Sequence, residues 1–342
     1  MILQKEGEPN PMNLIKRISR YAILFAALCL ILAGCGRNAE VREEGTKTPA
    51  ASSKSEQAPF LTFQDQAGKT IVLNKKPERI VVLNTELLQV FDQVGAAMVG
   101  RATAPGVPVP ESSKAAEEVG LISGVNMEKI MSLKPDLVIG QPVFHTKLAP
   151  VMEQAGIPFA ILTIKTIDDM RSNAALLGKI AGKADAAAAA VTAMNDKIKR
   201  IVDRVPDTKP SYMLLTFMMN TVSVTKSSSI ALDIADLLNM RNAASSLESG
   251  PMAGSVPFSM EKLVELNPDY LFFVVHGTDE EGQAILKSNL QSNEAWKSLK
   301  AVKENKYQFI PSSLFVNNPG LALDQSFEYM AKIVYPEAFG GK

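Results

Sequence analysis

The segment Met127–Ile139 (M-E-K-I-M-S-L-K-P-D-L-V-I) returns 133 positions later as Met260–Phe272 (M-E-K-L-V-E-L-N-P-D-Y-L-F), with six of 13 positions identical. Each copy reads as a short helix, a Pro-Asp break and an apolar strand, because proline cannot continue the helix and the run after it is short and apolar. A chain that carries this unit twice is expected to form two similar α/β lobes. Two such lobes imply a cleft between them, and in open α/β sheets ligands sit beyond the carboxyl ends of strands. The 342 residues suffice, since a domain takes roughly 100–200.

The flanking pattern agrees with this reading. Arg79–Leu83 (R-I-V-V-L) is continuously apolar, as expected of a strand covered on both faces. Asn84-Thr85-Glu86 caps a helix through Val94, and Gly95 ends it. A helix over 147–155 and a strand over 159–162 follow. Ile167 to Ile180 is one helix. Lys183 to Val205 is a second, alanine-rich and free of Pro and Gly, and reads as a rigid strut between the lobes. Strands over 211–217, 222–224, 270–275 and 307–310 alternate with helices over 230–238, 260–266, 293–302 and 320–334. The fold class is therefore α/β, with two similar lobes built on central sheets and joined by one long helix. The N-terminal lobe is placed at 60–165, the helical segment at 166–205 and the C-terminal lobe at 206–342.

Before residue 60 the chain changes character. Lys16, Arg17 and Arg20 precede an apolar stretch, Tyr21–Gly34, of 14 residues. That is shorter than the roughly 20 a spanning helix needs and fits the core of a secretory signal. Leu32-Ala33-Gly34-Cys35 has the form of a lipobox, so Cys35 is expected to carry diacylglycerol after cleavage, with 1–34 removed. Met12 is an alternative start to Met1. Residues 36–59 are polar and nearly devoid of apolar side chains, and are expected to act as a tether on the outer face of a membrane.

The cleavage also alters the charge. The whole chain holds 36 basic and 36 acidic residues, but 1–34 hold four basic and two acidic ones, so the mature chain stands near −2. A neutral to mildly acidic chain is no general nucleic-acid binder. Of the two cysteines, Cys29 leaves with the signal and Cys35 takes the lipid, so no disulfide is expected. With only two histidines, a closed zinc site is disfavoured. Those two, His145 and His276, follow the repeated glutamates Glu128 and Glu261 by 17 and 15 residues. Both are expected beside the ends of strands, one per lobe, facing the cleft.

The lipobox, the P-E-R-I-V-V-L-N opening (Pro77–Asn84), the two M-E-K-x-x-x-L-x-P-D units, the mid-chain helix and the W-K-S-L-K-A-V-K-E-N-K stretch (Trp296–Lys306) together resemble class III substrate-binding proteins of ABC importers. The resemblance covers about residues 59–340. It implies rigid lobes, a shallow cleft and a transported ligand that is a ferric siderophore, haem or cobalamin, with no permanent cofactor. It also implies a monomer that hands its ligand to a permease driven by a separate ATPase. Glu128 and Glu261 match the surface glutamates that dock on permease arginines.

His276-Gly277 with its acidic sequel, Trp296, and Phe315 with Asn318-Pro319-Gly320 resemble the haem-binding branch. There a C-lobe histidine is axial to the iron, and His276 matches it. Where that branch has an N-lobe methionine this chain has Ser123, leaving His145 or Met127 to substitute. Met218 and Met219, after the strand over 211–217, and Phe315 are further candidates at the cleft. A ferric siderophore would instead call on cations, for which Arg101, Lys147 and Lys226 are the candidates. Haem is ranked first, siderophore second and cobalamin third. No Gly-x-Ser-x-Gly, His-Glu-x-x-His or phosphate-loop motif occurs, so no catalysis is expected.

Overall fold

A computed structural model describes residues 58–251, 254–317 and 319–340. The signal, Cys35, nearly all of the tether and Asn318 lie outside the described residues. Strands β1 (Leu61–Gln64) and β2 (Thr70–Leu73) form an antiparallel hairpin. The first lobe carries β3 (Ile80–Val82), β4 (Gly100–Thr103), β5 (Glu117–Leu121), β6 (Gly124–Val125), β7 (Leu137–Gly140) and β8 (Phe159–Ile161), in the order β6-β5-β4-β3-β7-β8. Only β6 runs antiparallel to its neighbour. The second lobe carries β9 (Ser211–Met218), β10 (Thr221–Thr225), β11 (Arg241–Asn242), β12 (Ser255–Pro257), β13 (Tyr270–His276) and β14 (Tyr307–Phe309). Its order is β12-β10-β9-β13-β14, with β11 beside the start of β9. Because β10 and β12 are antiparallel, the two sheets match only around β3–β7 and β9–β13.

The repeated unit has the same job in both places. Asp136, just before β7, accepts from the backbone N–H groups of Glu78 (2.9 Å) and Arg79 (2.8 Å) at the entry to β3. Asp269, just before β13, accepts from the Ser211 N–H and hydroxyl, both at 2.7 Å, at the entry to β9. Each aspartate thus pins the start of the parallel neighbour, which sets register. The residue before each proline-aspartate pair, Lys134 or Asn267, takes a left-handed conformation (φ 45° and 38°) that turns the chain from helix to strand.

Side-chain alternation on these strands builds three apolar layers. Ile80, Val82, Leu137 and Ile139 of the first sheet, and Tyr212, Leu214, Tyr270 and Phe272 of the second, face one shared core. Val81, Leu83 and Val138 face a core private to the first lobe. Met213, Leu215, Leu271 and Phe273 face one private to the second. Burial on both faces explains the continuous apolar runs.

The shared core is closed by helices. Ile167–Ile180 opens with a capping box from Thr166 and Asp169. The next helix is Ala184–Val202, shorter than its expected 183–205, because Lys183 takes a non-helical conformation (φ −128°, ψ 38°) before it and Asp203 closes it. Its 19 residues span about 28 Å. It is not a free-standing strut: Ala187, Met194 and Ile198 are buried in the shared core, and Lys197 pairs with Asp324 of the helix Asp324–Val334 at 3.4 Å.

Two expected helices are broken. The 293–302 stretch is a 3-10 turn, Glu294–Ser298, and a short helix, Lys300–Lys303, parted by extended Leu299. Leu299 is buried in the second private core, and the following N–H, of Lys300, donates to Asn267 Oδ1 (2.9 Å). Likewise, 320–334 begins as a 3-10 turn, Gly320–Ala322, before Asp324–Val334.

Candidate functional site

His276 is the last residue of β13 and is exposed after six buried positions. In the parallel register it lies beside Met218, the half-buried last residue of β9. Two residues on, Thr278 and Glu281 form a capping box: the Thr278 N–H donates to Glu281 Oε2 (2.9 Å) and the Glu281 N–H to Thr278 Oγ1 (3.3 Å). A Cβ on Gly277 would stand 2.2 Å from that carboxylate, so a side chain there would push Glu281 out of its capping bond. His276 is thereby anchored on both sides. Desolvation by surrounding protein lowers its pKa, so near neutral pH the imidazole has a free nitrogen lone pair, the form that binds a metal.

The opposite side of this junction is the N-lobe loop 104–108. A Cβ on Gly106 would be 3.6 Å from the Gly277 carbonyl oxygen, so the two turns are in contact. Asn317 Nδ2 donates to the Gly106 carbonyl at 3.4 Å. Beside it, Gln93 clasps the C-lobe: its amide donates to the Pro319 carbonyl (2.9 Å) and its Oε1 accepts from the Leu321 N–H. A cavity of about 240 Å³ opens here, lined by Thr85, Leu88 and Val107 from one lobe and Ser313, Leu314 and Gln325 from the other. A further tie is the Ile167 N–H donating to Asp233 Oδ2 (2.9 Å).

Several expected ligand contacts lie elsewhere. His145 is not in a loop facing the cleft; it ends a short helix, Pro142–His145, and is 1% exposed. Its Nδ1 accepts from the Gln141 N–H at 3.1 Å. Burial lowers its pKa, the nearby Ile122 carbonyl opposes this, and Lys147 adds to it. Arg101 lies in β4, not in a loop, and is buried; Nε donates to the Ser113 carbonyl (3.0 Å). Lys226 follows β10 but its ammonium is spent on the Leu247 carbonyl. Phe315 is buried in the shared core with its ring edge-on to Tyr329 (centroids 5.9 Å). Trp296 packs against Phe273 and Tyr307 in the second private core. Lys147 is exposed in the turn Thr146–Leu148.

Exposed apolar side chains stand at three strand exits: Leu121 (50% exposed), the last residue of β5, Val143 (79%) after β7, and Met219 (84%) after β9, the last of them expected with Met218 at the cleft mouth. Met219 is held at φ 49° in the tight β9–β10 turn. Leu121 and Val143 are isolated apolar residues next to turns and carry no periodic signal, so nothing in the sequence marked those two. A larger cavity, about 390 Å³, lies away from this junction, under helix Met260–Leu266 and between Val224, Leu247 and Val256.

Glu128 and Glu261 are exposed in the first turns of helices Met127–Ser132 and Met260–Leu266. Asn126 and Ser259 cap the two helices in the same way, each accepting from the N–H three residues on. Ile130 and Leu263 anchor them in the private cores. The glutamates therefore occupy equivalent places on the two lobes.

Comparison with known proteins gives a consistent picture. A sequence model of the family described as periplasmic binding protein matches residues 80–314. The uncharacterized ABC transporter substrate-binding lipoprotein YvrC of Bacillus subtilis is 26% identical over 337 residues, covering 95% of this chain and 99% of that one. The Fe(3+)-citrate-binding protein YfmC of the same organism is 26% identical over 297 residues, covering 85% and 88%. Among solved structures, IsdE of S. aureus complexed with heme superposes with a TM-score of 0.66 at 20% identity, over 75% of this chain and 98% of that one.

Proposed function

The chain belongs to the periplasmic binding protein family, as a substrate-binding protein of the ABC-importer type and not an enzyme, and from this premise we propose that its ligand is haem, held at the junction of the lobes with His276 as an axial ligand. The observation that carries this reading is the exposed, anchored and deprotonation-prone imidazole of His276, next to Met218 at the end of β9, where exposed Met219 follows. An apolar macrocycle with a ligand-seeking metal suits such a surroundings. The rival, a ferric siderophore or ferric citrate, calls for cations, and of the three expected only Lys147 is exposed and unengaged among the described residues; the citrate-binding relative is what supports that second reading. Cobalamin comes third.

In this reading Cys35 carries the lipid that holds the chain at the outer membrane face, and Glu128 and Glu261 meet cations of a permease coupled to an ATPase. The ligand is cargo, so this chain only binds, orients and hands it over. The test is titration of the chain from Gly36 onward with haem, aquocobalamin and ferric citrate. A Soret band that shifts on binding and is lost in His276→Ala supports haem. Absence of a Soret change, with saturable binding of ferric citrate, overturns it. For docking, Glu128→Lys with Glu261→Lys should abolish uptake and leave ligand affinity unchanged; unaltered uptake defeats that assignment.

A further inference from the structure

The turn that leaves β7 is built around His145. Gly140, the last residue of β7, makes room for it: a Cβ there would stand 2.7 Å from His145 Cβ and 3.0 Å from the Phe159 ring. Gln141 then bonds the turn three times. Its Oε1 accepts from the Val143 N–H (3.0 Å), its carbonyl accepts from the His145 N–H (3.1 Å), and its N–H donates to His145 Nδ1 (3.1 Å). The imidazole is 1% exposed and meets the Phe144 ring edge-on. It is the packed centre of segment 141–148, on which Val143 and Lys147 are exposed.

Because Nδ1 accepts, the single ring proton of the neutral form sits on Nε2. Nε2 lies near the Ile122 carbonyl, in the turn between β5 and β6, and completes no hydrogen bond among the described residues. A second proton can bind only at Nδ1, the nitrogen at which the Gln141 N–H is aimed. Two donors would then oppose each other inside the protein. No carboxylate among the described residues offsets the new charge. The charge that reaches the ring is that of Lys147, which repels it. The carboxylates of the neighbouring elements are directed elsewhere: Glu117 to Lys129, Glu118 to Arg101 and Thr103, and Glu153 to Lys69. A buried cation with neither a counter-charge nor a full set of acceptors is too costly to keep, so a protonated ring has to leave for solvent.

We propose that His145 is an acid-released latch: its neutral ring holds segment 141–148 against the first sheet, and its protonation frees that segment and displaces Val143 and Lys147 on the N-lobe side of the ligand site. β4 and β7 both run parallel to β3, so this turn opens at the same end of the sheet as loop 104–108, which meets Gly277. Burial holds the folded pKa of His145 below its ordinary 6.5, so the latch stays shut at neutral pH and opens only in acid. The lobes themselves do not move; only this turn does. The effect on the ligand rests on the reading that places it at the lobe junction, whereas the latch does not.

The test is amide hydrogen exchange of the full chain without ligand at pH 7.5 and 5.0, corrected for the intrinsic pH dependence of exchange. The open fraction of segment 141–148 should rise roughly ten- to thirtyfold on acidification, as linkage to an open-state imidazole of ordinary pKa implies, while helix Ile167–Ile180 stays protected. In His145→Asn the amide oxygen can still accept from the Gln141 N–H but takes up no proton, so protection of 141–148 should be the same at both pH values. An equal acid-induced loss in wild type and variant overturns the proposal. Nitrogen NMR of His145 supplies a readout that needs no variant. The ring should carry its proton on Nε2 at pH 7.5 and become doubly protonated as protection is lost. A proton on Nδ1 at pH 7.5, or double protonation with protection intact, overturns it. Haem affinity should fall more on acidification in wild type than in His145→Asn, and an equal fall overturns the coupling of the latch to the site. Absence of haem binding at pH 7.5 sinks the haem reading alone and leaves the exchange result untouched.

Discussion

Asp269→Asn is the sharpest probe of how the repeat holds the fold. Burial pushes the Asp269 carboxyl up, but the Lys300 ammonium and the Ser211 hydroxyl and N–H outweigh it, bringing the pKa from 3.8 down to about 2. That difference equals roughly 2.5 kcal/mol of preference for the charged form. Solvent reaches the carboxylate, which trims its value to about 1–2 kcal/mol. Because the folded pKa is depressed, this stability is present above the unfolded value near 4 and is lost as pH falls toward 2. Asparagine preserves the shape and can still accept from the Ser211 N–H, so the substitution isolates the charge. The assay is urea unfolding of both proteins at pH 7 and pH 2.5. The variant should be weaker by about 1–2 kcal/mol at pH 7, and the gap should shrink by more than half at pH 2.5. A gap that is the same at both pH values, or absent at pH 7, would refute the claim that the ionised carboxylate pins β9.

Other substitutions test separate points. Phe315→Ala should cost about 3–5 kcal/mol of stability, read by urea denaturation, and leave ligand affinity unchanged, because the ring fills the core and not the cleft. Gly320→Ala should cost about 2 kcal/mol or more and lower the Tm: Gly320 sits at φ 62° and a Cβ would fall 2.2 Å from Gln93 Oε1. His145→Asn should reduce the acid sensitivity of wild type. The buried neutral ring has a lowered pKa, so the unfolded chain binds the proton first and wild-type stability falls below about pH 6.5. Urea midpoints at pH 7.5 and 5.5 should differ less in the variant, and equal differences would assign the acid sensitivity elsewhere.

What the sequence made legible follows from local physics. The helix Ile167–Ile180 was predictable to the residue, since Thr166 and Asp169 form a capping box and Gly182 lies just past its end. The repeat revealed two like lobes because Pro and the left-handed turn before it leave a strong local mark. The break at Leu299 left none: its extended conformation is imposed by burial in the second private core. The ligand contacts suffered for the same reason. A lysine or arginine after a predicted strand looks available, but whether it meets a carbonyl, as Lys226 meets that of Leu247, depends on a residue 21 positions away. His145 and His276 look alike in sequence; one is buried at the end of a short helix and the other stands open at the end of β13.

The shared core has a consequence for how the chain can be divided. Cutting after residue 165 would strip Ile80, Val82, Leu137 and Ile139 of the helices Ile167–Ile180 and Ala184–Val202 that share their core, and would take from Tyr212, Leu214 and Phe272 the N-terminal part of that core, including Leu87, Leu88 and Phe91. Neither half owns enough interior to survive as a separate module. The chain should therefore melt in one cooperative step despite its bilobed outline, and resist dissection into independently expressed halves. A carrier of this kind has no spring of its own with which to expel its cargo. The work of prising the ligand out falls to the body on which it lands.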